Sequence, residues 1–282
     1  MSATPTPTAA IFGWPVKHSR SPLIHRHWLN CYGLAGDYVV RAVAPEDFPA
    51  FLAGFASGTF VGGNVTVPHK EAAFAAVHRA DAVATALGAV NMLWLEEGRL
   101  IGGNSDGLGF LANLDQRWPA FGSLGGPAVV LGAGGAARAV VHALKQRGFD
   151  PVHVVNRSLN RAEALVERFG APLRAAGWES LPALLRDATL LVNTTSLGME
   201  GEPPLIVDFT PARLELLVTD IVYVPLETPL IRVAKAHGLA TVDGLGMLLH
   251  QAAPGFERWF GVWPEVTDEL RRIVLADMGV AA

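Results

Sequence analysis

Residues 127–141 read PAVVLGAGGAARAVV, and this stretch decides the second half of the fold. A short apolar run ends at Gly132-Ala133-Gly134-Gly135, and a helical pattern of small and apolar residues follows. Strand, glycine turn and helix in that order form the context a dinucleotide-binding turn requires. Gly132 permits the tight turn, and Gly134 lets backbone approach a pyrophosphate. The helix N-terminus offers unpaired N–H groups to the negative charge. Ala137 stands where a third glycine is usual, and its methyl still allows close helix–strand packing. The cradle is therefore expected at Gly132, Ala133, Gly134, Gly135 and Ala136. A turn with no ligand is the competing reading.

Working outward, the next strand, VHVVNRS (152–158), narrows the choice of nucleotide. A carboxylate about twenty residues beyond the glycines binds a free ribose 2′-hydroxyl. Here Asn156-Arg157-Ser158 and Arg161 stand instead. Guanidinium groups present a planar fork that suits phosphate, so the pattern favours NADP over NAD. Further buried strands are expected at 188–196 and 216–223, with a helix over 160–169. The series is βαβαβ, which right-handed crossovers turn into a parallel sheet. Upstream, strands are expected at 9–14, 37–43 and 59–67, helices at 21–34 and 45–55, and a strand pair across 89–106 turning at Glu96–Gly98. Ser21 and Pro22 suit a helix N-cap and first turn. The last forty residues read as helical, to cap the second domain or return to the first.

Bulk properties exclude several classes. At 282 residues, two domains are the natural expectation. Half the residues are apolar, 17% are charged and the net charge is −4, with no basic block. That balance argues against nucleic acid or an anionic membrane as partner. One cysteine, Cys31, leaves no internal disulfide framework and no cysteine-rich zinc site. The first ten residues lack a signal-peptide pattern, and no run approaches a membrane span. A cytoplasmic protein acting on small molecules is expected.

The first third carries polar clusters at strand ends. They are GWPVKHSRSP (13–22), NVTVPHK (64–70), AVN (89–91) and GGNSD (102–106). Later come GAGGA (132–136), NTTSLGM (193–199), DIVYVPLETPL (220–230) and GLGMLLHQ (244–251). Together and in this order they resemble the shikimate dehydrogenase family nearly end to end. The resemblance implies two α/β domains flanking a cleft, the second a Rossmann-type doubly wound parallel sheet. Residues 1–106 with 245–282 would form the substrate-binding and catalytic domain, and 107–244 the NADP domain. The implied reaction interconverts shikimate and 3-dehydroshikimate with NADP. By the same resemblance Ser19 and Ser21 hold a carboxylate, and Thr66, Asn91, Asp106, Tyr223 and Gln251 bind ring hydroxyls. Lys70 and Asp106 form the catalytic pair. Asn156, Arg157 and Arg161 take the adenosine phosphate, and Thr194, Gly244 and Met247 join the cofactor side. A monomer or a homodimer is compatible with it.

Three departures stand out: Met92 after AVN, Ser105 for a common Thr, and His69 where Phe or Tyr is frequent. They leave quinate and NAD use open. From a different class, a catalytically silent NADP-binding module is the other alternative, and Lys70, Asp106, Asn91 and Gln251 together speak against it. Eighteen arginines against four lysines make Lys70 conspicuous. A guanidinium does not release its proton near neutrality, whereas an ammonium can when its surroundings are tuned. Ketone reduction needs both a hydride and a proton, and a lysine can supply the second without a metal. His18, His69 and His250 are equally well read as capping or packing residues. Cys31 is expected as a small buried hydrophobe, and Trp259 and Trp263 as core.

Overall fold

The computed structural model describes residues 6–280 and contains two compact units, 1–105 with 251–282 and 106–250. The first part of the Thr/Pro/Ala leader lies outside the described residues. In the first unit the elements are β1 (Thr8–Gly13), α1 (Ser21–Cys31), β2 (Asp37–Ala42), α2 (Phe48–Ala53), β3 (Phe60–Val65), α3 (Lys70–Ala76), β4 (Arg79–Ala80), α4 (Ala82–Leu87), β5 (Met92–Glu96) and β6 (Arg99–Gly103). In the second they are α5 (Asp106–Arg117), β7 (Ala128–Leu131), α6 (Gly135–Arg147), β8 (Val152–Val155), α7 (Leu159–Phe169), β9 (Leu173–Ala176), α8 (Leu181–Leu184), β10 (Leu190–Asn193), β11 (Leu217–Asp220), α9 (Pro229–Ala236) and β12 (Ala240–Val242). Helix α10 (Leu245–Phe260) starts in the second unit and ends in the first, which also holds α11 (Asp268–Asp277).

The first sheet has the order β2-β1-β3-β5-β6-β4. Strands β1, β2 and β3 are mutually parallel, while β5 runs antiparallel to β3 and β6 antiparallel to β5. The hairpin turn places Glu97 and Gly98 at φ 50° and 73°. Two successive left-handed residues match the twist of the flanking strands. One face buries Phe12, Phe48, Phe55, Val65, Val90 and Leu93, and the other Tyr38, Met92, Trp94 and Trp259. The chain's end belongs here: Trp259 Nε1 donates to Leu93 O at 2.9 Å and Trp28 Nε1 to Glu265 O at 3.0 Å.

The second sheet is wholly parallel with order β12-β11-β10-β7-β8-β9. That is the order of a doubly wound dinucleotide-binding sheet, reversing direction between β7 and β10. Its strands are near-continuous apolar runs because helices cover both faces. Val129, Leu131, Val155, Leu191 and Val218 lie in one core with Leu230 and Ile231 of α9.

Several local expectations need correction. Ser21 is not the cap of α1: the N-cap is Arg20, which makes no side-chain cap bond, and Ser21 and Pro22 already lie in the first turn. The backbone N–H of Ser21 finds Ser19 Oγ instead, at 3.3 Å. Cys31 is exposed, with its Sγ 3.4 Å from His27 Nε2 one helical turn away. Trp263 is 53% exposed and so is no core residue, whereas Trp259 is buried. The short elements β4, β9, β12, α3, α4 and α9 carry too few residues for periodicity to reveal them.

Candidate active site

In the first unit, the predicted polar residues converge because of sheet topology. Strands β1 and β3 run parallel, so their C-terminal ends share one rim. The antiparallel hairpin brings the start of β5 and the end of β6 to that rim, since Asn64 faces Met92 and Met92 faces Gly103. Ser19 and Ser21 follow β1, Thr66 and Lys70 follow β3, Asn91 precedes β5 and Ser105 follows β6. Gln251 enters from α10, within the same unit.

Asn91 is the hub of this rim and is 1% exposed. Its Nδ2 donates to Ser105 Oγ at 3.1 Å and to Gln251 Oε1 at 3.4 Å. Its Oδ1 accepts from the backbone N–H of Ser105 at 2.9 Å. Ser105 Oγ in turn donates to Gln251 O at 2.8 Å. Burying so many polar atoms is tolerable only because they satisfy one another. Underneath, Tyr38 Oη donates to Asn64 Oδ1 at 2.7 Å, and Asn64 Nδ2 donates to Asn91 O at 3.2 Å. Ser19 Oγ donates to Ser21 Oγ at 3.2 Å, which sets two hydroxyls side by side.

Lys70 is the first residue of α3, half-buried, with its carbonyl accepting from Val90 N at 2.9 Å. His69 before it is buried, stacked 4.0 Å from Phe48, with Nε2 2.8 Å from Val43 O. A donated N–H at that distance holds the loop in place, and the aromatic ring fills the space. His69 is thus a structural residue at the foot of Lys70.

In the second unit, Asp106 opens α5 and is half-buried. Tyr223 is half-buried and lies between Asp220 and Thr228 in the segment after β11. Gly132 has φ 104°, and a Cβ there would stand 2.9 Å from Thr194 Oγ1 and from Thr195 Cγ2. Its glycine is required by the fold. Gly134 and Gly135 are different, because a Cβ at either would meet nothing within 4 Å. Gly134 is also extended, at φ −91° and ψ −169°. Neither strain nor packing of the protein requires it, and the open space leaves room for a ligand held close to the backbone. Together with the N-terminal N–H groups of α6, this cradle fits a pyrophosphate.

Thr194 is pinned by Oγ1 and N to Leu131 O, at 2.7 and 2.9 Å. Gly244 packs on the backbone of β11's end, its missing Cβ lying 2.5 Å from Ile221 O, and Met247 is half-buried in the first turn of α10. Asn156 is half-buried, its Nδ2 donating to Ser158 O at 2.9 Å, while Arg157 and Arg161 are exposed beside it. That is one amide and two exposed guanidinium groups at the end of β8, where a 2′-phosphate fits. His250 contacts Gln116 Oε1 at 3.0 Å, and burial pushes its imidazole down to about 4, opposed by Asp115. It is a neutral packing residue.

Sequence reasoning assigned no task to Tyr38, Asn193 or Asp220. Asn193 and Asp220 are fully buried at the ends of β10 and β11. The signal was there, in the first letters of NTTS and DIVY, but only burial reveals that these side chains point inward.

The second unit therefore defines a nucleotide-binding α/β protein of the doubly wound type, joined to a smaller-molecule rim on a mixed sheet. Comparison with known proteins agrees. Residues 11–93 match the shikimate dehydrogenase substrate binding domain, 120–200 the shikimate / quinate 5-dehydrogenase family and 244–267 the shikimate 5'-dehydrogenase C-terminal domain. The NADP(+) shikimate dehydrogenase of Mesorhizobium japonicum is 58% identical over 275 residues, covering 97% of each chain. That of Azorhizobium caulinodans is 56% identical over 269 residues, covering 95% of this chain and 96% of the relative. The crystal structure of shikimate 5-dehydrogenase from Thermus thermophilus, in complex with NADP(H) and shikimate, aligns with a TM-score of 0.83. Its identity is 40%, with coverage of 95% of this chain and 99% of that one. The chain belongs to the shikimate dehydrogenase family.

Proposed function

We propose that this chain catalyses the reversible NADPH-dependent reduction of 3-dehydroshikimate to shikimate, a step toward aromatic amino acids. The observation that carries the reading is the pairing of two features. One is the glycine cradle at 134–135, left open by the protein, with two arginines at the end of β8. The other is the buried amide and hydroxyl array around Asn91. When bound, the nicotinamide supplies the hydride to the ring carbonyl carbon.

Ser19 and Ser21 hold the substrate carboxylate through their adjacent hydroxyls. Thr66, Asn91, Tyr223 and Gln251 bind the ring hydroxyls, and Asn91 and Gln251 do so from an array already fixed by Ser105. Preorganised donors cost little reorganisation when substrate binds. Lys70 gives its proton to the carbonyl oxygen as negative charge develops there, and takes it back in the oxidative direction. Asp106 orients Lys70 and binds a neighbouring hydroxyl. Gly132, Ala133, Gly134, Gly135 and Ala136 hold the pyrophosphate. Asn156, Arg157 and Arg161 hold the 2′-phosphate, and Thr194, Gly244 and Met247 line the nicotinamide side. Residues 1–106 with 245–282 act as the substrate domain and 107–244 as the NADP domain.

The protein works in the cytoplasm as a monomer or homodimer, without nucleic acid or membrane as partner. No helix among the described residues is long and apolar enough to cross a membrane. Initial rates with shikimate or quinate, each paired with NADP or NAD, test the reading. The expected outcome is a preference for shikimate with NADP. Equal turnover of quinate would move the chain to the broader shikimate/quinate class. Tight NADP binding without turnover of any pair would make it a silent binding module.

A further inference from the structure

Asp220 ends β11 with its carboxylate fully buried, and nothing in the proposed chemistry uses it. Three donors converge on it. Asn193 Nδ2 reaches Oδ1 at 2.9 Å, the backbone N–H of Val222 reaches Oδ1 at 3.0 Å, and Thr228 Oγ1 reaches Oδ2 at 2.8 Å. Two of these donors lead elsewhere. Asn193 Oδ1 accepts from Thr195 N at 3.0 Å and from Thr195 Oγ1 at 2.7 Å, and Thr195 Oγ1 then accepts from Leu197 N at 3.2 Å. Asn193 Nδ2 also reaches Leu197 O at 3.2 Å. The turn over 193–197 is thus folded around one amide, which Thr195 N–H and Leu197 O orient and which Asp220 ties to the end of β11. That turn is the wall against which Gly132 packs, through Thr194 and Thr195. Val222, held by the same carboxylate, fixes the chain immediately before Tyr223.

We propose that Asp220 is a positioning residue for the dinucleotide turn, acting through Asn193 and Thr195 on Gly132. It touches neither substrate nor cofactor. Within the turn, Thr195 N–H and Leu197 O give the amide its polarity, but neither ties it to the sheet. The Asp220 carboxylate accepts from the second Nδ2 hydrogen and from Val222 N–H, so it ties the oriented amide, and with it the turn, to the end of β11. The 193–197 turn then has one conformation, and the wall behind Gly132 stays where the cradle needs it. Buried polar networks that are fully satisfied rigidify in this way. The proposal rests on the NADP reading above.

The test combines NADPH titration by fluorescence, steady-state kinetics with both substrates and a thermal melt for each variant. In folded Asp220→Ala, the Kd for NADPH and the KM for NADP rise at least about tenfold, while the KM for shikimate, through the released Val222 beside Tyr223, rises by no more than about threefold. Asp220→Asn restores most of the cofactor affinity, because its amide oxygen still accepts from Asn193 and Val222. Thr195→Val, which leaves Asp220 in place but removes the hydroxyl between Asn193 and Leu197, raises the Kd for NADPH several-fold. If Asp220→Ala does not fold, Thr195→Val decides alone. A wild-type NADPH Kd in either folded variant would overturn the proposal, as would equal losses for cofactor and shikimate. Failure of the wild-type chain to bind NADPH at all would sink the NADP reading first, before any variant is compared.

Discussion

The two units place their polar side chains in different parts of their sheets. In the parallel sheet the two central strands, β7 and β10, are apolar up to the C-terminal end, and the buried amide and carboxylate stand at strand ends: Asn193 closes β10, Asp220 closes β11, and Asn156 follows β8. In the mixed sheet they lie among the core itself: Asn64 within β3, Tyr38 within β2, and His25 on α1 stacked 4.0 Å from Tyr38. A doubly wound sheet fixes its ligand edge by topology alone, at the strand ends beside the switch of direction. The mixed sheet has no such default. Its rim exists because a hairpin is paired backwards onto three parallel strands, and the buried amides hold that rim together.

The comparison is broken most sharply at Lys70. Lys70→Ala should lower kcat by about a thousandfold, within the range expected for a positioned acid–base group, while the KM for shikimate and the Kd for NADPH move only a few-fold. Steady-state rates and NADPH titration check this. A kcat near wild type would remove Lys70 from the proton path. So would a variant whose loss appears only in cofactor binding.

The glycines offer the next contrast. At Gly62 in the mixed sheet a Cβ would fall 2.1 Å from Trp259 Nε1 and 2.4 Å from Leu93 O, the two atoms that share a hydrogen bond. Gly62→Ala should therefore cost about 3 kcal/mol, from overpacking plus a broken buried bond. At Gly134 the space is open, and Gly134→Ala should leave the melting temperature nearly unchanged. It should instead weaken NADPH binding about tenfold, near 1.4 kcal/mol, because the methyl occupies the ligand's place. Denaturant titration and NADPH titration of both variants test the pair. Equal stability losses would mean the open space at Gly134 is not a ligand cradle.

This contrast also explains what could be read from the sequence. The strand–glycine–helix order at 128–141 needs no knowledge of distant contacts, and β7, α6 and β8 lie where spacing put them. Asn91, Lys70 and Asp106 were legible only as members of ordered motifs. The roles proposed for them depend on neighbours far away in the chain, such as Ser105 and Gln251 for Asn91. Asp220 and Asn193 show the limit. A short buried polar side chain at a strand end looks the same in sequence as an exposed one, and only its three-dimensional partners tell them apart. Cys31 and Trp263 failed for the complementary reason: apolar character does not say which side of a helix or loop faces water.

Acid separates the two units in a smaller way. Burial pushes His25 down to about 3, opposed by the neighbouring Asn64, and its surroundings are Tyr38, Trp28, Phe256 and Trp259. Tyr38 is the titratable group among them, and burial raises it above the ordinary phenol range. A histidine depressed on folding contributes stability above its unfolded value near 6.5, lost as pH falls toward 3. Between pH 7 and 5 that loss is about 2 kcal/mol, and His25→Phe should remove it from the pH dependence. His250, His142 and His153 in the second unit are lowered as well, mainly by burial, and act in the same direction. Asp220 runs the other way. Burial raises it to about 6, outweighing its hydrogen bonds from Thr228, Val222 and Asn193. A carboxyl raised on folding binds a proton more tightly in the native state, so stability grows as pH falls from 7 to 5, by about 1 kcal/mol. Asp220→Asn should therefore steepen the loss of stability over that interval by a similar amount. Chemical denaturation at pH 7 and pH 5 measures both variants against wild type. A loss in Asp220→Asn equal to that of wild type would show that the carboxylate stays ionised over the interval, held as a fixed anion among its three donors.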